Sequence, residues 1–251
     1  MAGLTLVTYL GDNTTATAAA IATALAGHLG TPVAFDPDAS SAARREAIAS
    51  GAADIVWMCG LATVEGLNAG RLAVDIAAAP VFPGHDGATY RSVIIARGDF
   101  GATTLADLAG ARLAINERSS WSGYHALRAH LAETGRLGPF FGSVAETGGH
   151  AASIEAVLGG AADTAAIDDT IWAYRVGLDP RLSALTVVDR TRAWPAPPFS
   201  VSRALDPATR AALAAALPTL RPTGLDAIRP ATSADYDPIR RAMPEAAEVA
   251  W

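Results

Sequence analysis

Ala42-Ala43-Arg44-Arg45-Glu46-Ala47-Ile48-Ala49-Ser50-Gly51-Ala52-Ala53-Asp54 lies without gaps over Ala151-Ala152-Ser153-Ile154-Glu155-Ala156-Val157-Leu158-Gly159-Gly160-Ala161-Ala162-Asp163. Eight of the thirteen positions are identical at a shift of 109 residues. Alanine matches carry little weight in a chain this rich in alanine, so the Glu, Gly and Asp matches decide. Both copies read as a helix, a Gly-Ala-Ala-Asp turn and an apolar run of strand length, residues 55–58 after the first and 164–167 after the second. The same shift lays residues 4–7 over 113–116 and residues 11–14 over 120–123. The pattern predicts two similar α/β lobes. In open α/β sheets ligands sit outside the carboxyl ends of the strands. The paired strand-to-helix turns 11–14 and 120–123 are therefore expected to line a ligand cleft between the lobes, together with Cys59 and Asp168, which the shift superposes.

Outward from this repeat, apolar runs alternate with helical patterns along the chain. Residues 4–10, 32–35, 55–58, 72–79, 90–96, 112–115, 144–147, 164–167 and 185–188 read as strands. Pro207 behind Asp206 opens a helix with its N-cap in place. Trp194-Pro195-Ala196-Pro197-Pro198-Phe199 cannot be helical and suits a rigid crossing segment.

Of 251 residues, 51% are apolar and 18% charged, enough for a packed core and too few charges for a disordered chain. The net charge of −6 argues against a nucleic-acid or anionic-membrane surface. No run approaches the roughly 18 apolar residues of a spanning helix, so no transmembrane segment is expected. Cys59 is the single cysteine, which excludes an internal disulfide and a multi-cysteine metal site. No Lys or Arg precedes Arg44, so the chain as given has no charged leader region. A periplasmic location is expected if a leader preceded it, a cytoplasmic one if it is complete.

Ser119-Ser120-Trp121-Ser122-Gly123-Tyr124 offers three hydroxyls and free backbone N–H groups at a helix start, a natural anion cradle. The plainer alternative is N-capping by Ser122. His150, behind Gly148-Gly149, opens another helix, with Ser153 one turn in. Asp168-Asp169 closes a strand, one carboxylate serving as a helix cap and the other free for a ligand. A Ser122–His150–Asp168 hydrolase triad is not favoured, because Ser120 stands where a nucleophile elbow needs glycine. His125 and His130 are five residues apart, roughly 140° around a helix, and cannot share a metal. Phosphate-binding glycine motifs are absent.

Tyr90-Arg91-Ser92-Val93-Ile94-Ile95, Leu105-Ala106-Asp107-Leu108-Ala109-Gly110, Ser120-Trp121-Ser122-Gly123-Tyr124, Phe140-Phe141, Thr147-Gly148-Gly149-His150-Ala151-Ala152-Ser153 and Ala166-Ile167-Asp168 follow one another as in the phosphate/phosphonate-binding proteins of ABC transporters, which this chain resembles. The resemblance implies a two-lobe α/β fold of the type 2 periplasmic-binding class with two hinge crossings, near residues 96–98 and 191–198. Lobe 1 is expected over residues 1–96 plus 198–251 and lobe 2 over 97–197. By position, Tyr90, Ser120, Ser122 and His150 would hold the anion and Asp168 the rest of the ligand. Tyr9, Cys59 and Trp121 would shape the pocket, Trp121 standing where the family commonly has a small hydroxyl residue. The function implied is binding of phosphate, phosphonate or a related oxyanion for ABC-type uptake, with a permease as possible partner. No catalytic residue, metal or cofactor is expected. The alternatives are a cytosolic lyase on the same fold, resembling enzymes of menaquinone synthesis, and a cytosolic ligand sensor.

Overall fold

The computed structural model describes residues 3–250. Strands β1 (Leu4–Thr8), β2 (Val33–Ala34), β3 (Ile55–Trp57) and β4 (Val74–Val81) alternate with helices α1 (Thr15–Leu29), α2 (Ser41–Ala49) and α3 (Gly60–Asn68). Next come β5 (Thr89–Tyr90), β6 (Ser92–Arg97), β7 (Arg112–Ile115), α4 (Ala126–Glu133), β8 (Ser143–Glu146), α5 (His150–Leu158), β9 (Thr164–Asp168) and α6 (Asp169–Val176). The chain ends with β10 (Leu185–Arg190), β11 (Trp194–Pro195), β12 (Phe199–Ser202), α7 (Pro207–Ala216), β13 (Ala227–Pro230) and α8 (Asp237–Glu248). Two compact units result, Met1–Thr89 with Pro195–Asp237 and Tyr90–Trp194 with Pro238–Trp251.

The first unit is built on a six-stranded sheet in the order β13-β4-β12-β3-β1-β2. Its central strands are buried on both faces, and alternate residues divide between two cores. Leu6, Ile55, Trp57 and Phe199 join the larger core, while Val7, Val56 and Met58 join the smaller. Trp57 packs against Phe199 with ring centroids 4.6 Å apart, and its indole N–H donates to the Pro197 carbonyl at 3.0 Å.

A five-stranded sheet, β10-β6-β9-β7-β8, organises the second unit. Ile94, Leu113, Ile115 and Ala166 face one core, and Val93, Ile95, Ala114, Ala165 and Ile167 the other. This period of two, with both faces apolar, is why these strands read as continuous hydrophobic runs. Strands β7, β8 and β9 run parallel, and β6 is antiparallel to β9.

The internal repeat has a structural cause. Helices α2 and α5 start 109 residues apart, as do α3 and α6. Gly51 and Gly160 end the first pair with positive φ, 76° and 74°, which glycine adopts without a Cβ penalty. The aspartates then clasp the neighbouring strand. Asp54 Oδ2 accepts from the Thr5 amide and Asp163 Oδ2 from the Arg112 amide, both at 2.8 Å. Thr5 and Arg112 are 107 positions apart, so the first strands correspond two residues off the shift expected from the sequence. The glycine and aspartate of each copy serve a strand-to-strand fastening.

The boundaries differ from those read in the sequence. The chain passes between the units at Thr89/Tyr90 and Trp194/Pro195, within the paired strands β5 and β11. The expected crossing at 96–98 instead ends β6, which pairs with β9 and β10 and so belongs wholly to the second unit. The C-terminal residues from Pro238 also join the second unit, not the first. Val249 enters its core, and Arg128 Nη2 donates to the carbonyls of Ala247 and Val249 at 3.1 and 2.6 Å. Arg128→Ala is expected to lower stability by about 1–2 kcal/mol and to open the tail to carboxypeptidase. An unchanged digestion rate would contradict this latch.

Candidate functional site

The second unit gathers its polar side chains at the carboxyl ends of β7, β8 and β9. β7 leads through Asn116 into a π-helical turn, Trp121–His125, and on to α4. Such turns recur at functional sites because they aim side chains away from the regular helical stripe. Ser120 is the cap: its Oγ accepts from the Gly123 amide at 3.1 Å. The sequence alternative of a Ser122 cap is therefore corrected, because the wider turn moves Ser122 beyond the capping position. Freed from that role, Ser122 Oγ lies 3.1 Å from His150 Nε2.

His150 is the first residue of α5, whose N-cap is Gly149 and which has no side-chain cap. Orphan amides and the dipole of this helix end favour an anion. Burial pushes the His150 imidazole down to about 4, with the Ala166 backbone acting in the opposite direction. At neutral pH the ring is uncharged and offers one N–H and one lone pair. Its Nδ1 is buried with no partner in hydrogen-bonding geometry. Ser153, one turn into α5, bonds Thr147, the two hydroxyls lying 2.7 Å apart.

Gly123 makes this arrangement possible. A Cβ there would meet Asn116 Oδ1 at 1.9 Å and His150 Cε1 at 3.1 Å. Only a residue without a side chain lets the Asn116 amide and the His150 ring close over the turn.

Asp168 ends β9 and caps α6, accepting at Oδ1 from the Thr170 amide and hydroxyl at 2.9 and 2.6 Å. Desolvation pushes its carboxyl up to about 7; the Asp169 charge adds to the shift and the Thr170 hydrogen bonds oppose it. Unfolded, the group titrates near 3.8. Its contribution to stability is full below that value and is lost as pH rises through about 7. Asp168→Asn keeps an oxygen for Thr170 and is expected to raise stability at pH 8 by up to a few kcal/mol, with little change at pH 4. Thermal melts giving the same increment at both pH values would contradict it.

Trp121 and Trp194 are fully buried and meet edge to face, with centroids 4.6 Å apart. Arg192 lies 3.7 Å over Trp194 and pairs with Glu133 at 2.7 Å. This stack fixes the start of the π-helical turn from below.

The chain matches, over residues 5–243, the family of periplasmic substrate-binding proteins of ABC phosphonate transporters. It belongs to that family. No curated protein matches the sequence. PhnD1 of Prochlorococcus marinus, solved in complex with methylphosphonate, is 18% identical with a TM-score of 0.80, covering 98% of each chain. The binding component of an ABC phosphonate transporter from Pseudomonas aeruginosa is 17% identical with a TM-score of 0.78, covering 95% of this chain and 84% of that one. A Xanthomonas citri protein solved with ATP reaches 0.69 at 18% identity, covering 99% and 97%. These likenesses establish the two-lobe periplasmic-binding fold. The phosphonate-binding family serves transport by binding substrate, and its members work with a small ligand and a permease.

Within this family member, Ser120, Trp121, Ser122, His150 and Asp168 all stand at one sheet edge of the second unit, with Tyr90 buried at its start. Ser122 and His150 are in contact, whereas Ser120 and Asp168 have capping roles. Tyr9 and Cys59 belong to the first unit, at the carboxyl ends of the adjacent parallel strands β1 and β3. Cys59 is the N-cap of α3, and Arg45 lies 5.8 Å over the Tyr9 ring. Ser92 and Thr191 are among the buried polar residues that the sequence did not single out. The available signal was a lone hydroxyl inside the apolar run of β6. Among the described residues no cluster of His, Cys, Asp or Glu could hold a metal, and no helix is long and apolar enough to cross a membrane.

Proposed function

We propose that this protein binds a small tetrahedral oxyanion of the phosphate and phosphonate class at the carboxyl edge of its second sheet, and delivers it to an ABC permease without transforming it. The observation that carries this reading is the Ser122–His150 pair, 3.1 Å apart, at the uncapped start of α5. A hydroxyl and a neutral imidazole this close can both donate to one anionic oxygen, with the first-turn amides of α5 facing a second. Neither donor carries charge, so the site gains affinity from desolvated hydrogen bonds and the helix dipole. Tyr90 and Asp168 enter the proposal as walls of the same site. Asp168, largely protonated below about pH 7, would then present a neutral carboxyl to the anion. Trp121 is proposed as support for this site. A periplasmic location follows from the same reading.

The lyase alternative calls for a poised His150–Asp168 pair. His150 instead meets Ser122 and Asp168 meets Thr170, and an imidazole held near 4 is a poor base at neutral pH. Calorimetry with methylphosphonate, inorganic phosphate and sulfate tests the proposal: binding of at least one phosphorus oxyanion supports it, and no heat with any of them overturns it.

A further inference from the structure

The side chain that holds Ser122 in place comes from a different element. Ser92, at the start of β6, is 1% exposed and sits opposite Asp168 in the β6–β9 register. Its Oγ donates to the Ser122 carbonyl at 2.7 Å, across thirty residues of sequence. The run that follows, Val93-Ile94-Ile95, is wholly apolar and buried. A hydroxyl in that setting costs stability unless it is paired, and its partner is the backbone of Ser122, whose side chain contacts His150.

Ser92 is itself held from both sides. Its amide donates to Thr191 Oγ1 at 3.0 Å, and the Thr191 amide donates back to the Ser92 carbonyl at 3.0 Å. Thr191 is 1% exposed, and its hydroxyl passes its own proton to the Arg192 carbonyl at 3.0 Å. Arg91 Nη1 adds a bond to the Thr191 carbonyl at 3.0 Å. A continuous hydrogen-bonded line thus runs from Thr191 through Ser92 to the backbone of Ser122, and on through its hydroxyl to His150.

We infer that Ser92 is a positioning residue for anion binding, fixing the π-helical turn so that Ser122 Oγ and His150 Nε2 converge on one ligand oxygen. The inference rests on the binding role of Ser122 proposed above. A turn without this bond can rotate about residue 122, and a donor displaced by a few tenths of an ångström loses much of a short, charge-assisted hydrogen bond. Thr191 holds Ser92 in turn, one step further from the ligand.

The test is a double-mutant cycle read by methylphosphonate and phosphate calorimetry. Ser92→Ala is expected to weaken binding about tenfold with the near-UV spectrum kept, and Ser92→Thr, which keeps the hydroxyl, to restore it. In a Ser122→Ala background, Ser92→Ala should cost less than about twofold more, because Ser92 acts through the missing hydroxyl. If Ser92→Ala does not fold, Ser92→Cys carries the same expectation with a weaker donor. Losses that add in the double mutant, or a Ser92→Ala protein that binds normally while Ser122→Ala does not, would overturn the positioning role alone. Normal binding by Ser122→Ala would overturn the site reading and this inference with it.

Discussion

Ser122→Ala and His150→Ala are each expected to weaken methylphosphonate or phosphate binding by roughly 10–100-fold, with the fold intact. Each removes one donor to an anionic oxygen, an interaction worth about 1.5–3 kcal/mol when buried, and 1.4 kcal/mol is tenfold. The two losses should not add, because the atoms they remove lie 3.1 Å apart and would share one ligand oxygen. His150→Ala has a second signature. The native ring titrates near 4 against 6.5 when free, so it supports stability above about 6.5, and that support is lost as pH falls to about 4. The variant should show a flatter acid limb in its stability profile. Unchanged affinity in either variant would remove the basis of the proposed site.

Gly123→Ala is expected to be nearly as damaging to binding and worse for stability. Its Cβ would lie 1.9 Å from Asn116 Oδ1 and 2.5 Å from Asn116 Cγ, with His150 Cε1 at 3.1 Å on the other side. The Asn116 amide must swing away and the imidazole must retreat, which separates His150 from Ser122. Overpacking of this kind costs about 1–3 kcal/mol, and the displaced ring should lower affinity at least about tenfold. Gly27→Ala supplies the control. That glycine lies within α1, and nothing lies within 4 Å of an added Cβ. Denaturant titration and calorimetry should separate the two variants clearly. Equal behaviour would mean that close packing at Gly123 is unimportant.

Much of this was legible in the residues. Ala42–Asp54 against Ala151–Asp163 foretold two similar α/β units, because a glycine in the left-handed region and a strand-clasping aspartate are local requirements that leave local traces. His150 at a helix start and Ser122 beside glycine were visible for the same reason. The two-residue offset between Thr5 and Arg112 was not, because it lies in loop length between strand and helix, where apolar patterning is silent. The choice of Ser120 over Ser122 as cap depended on the π-helical register, which no periodicity of 3.6 reports. Which unit the last helix would cover was equally hidden. An amphipathic pattern shows that α8 has a buried face, and only Arg128 and Val249 show where it docks. Ser92 and Thr191 work through contacts 30 and 99 residues distant in sequence, beyond the reach of any local motif.

A crystal structure of the full chain with methylphosphonate bound tests the central claim most directly. The account predicts phosphonate oxygens within hydrogen-bonding distance of Ser122 Oγ and His150 Nε2, at the start of α5. Phosphonate bound elsewhere, with the Ser122–His150 contact closed and untouched, would contradict it.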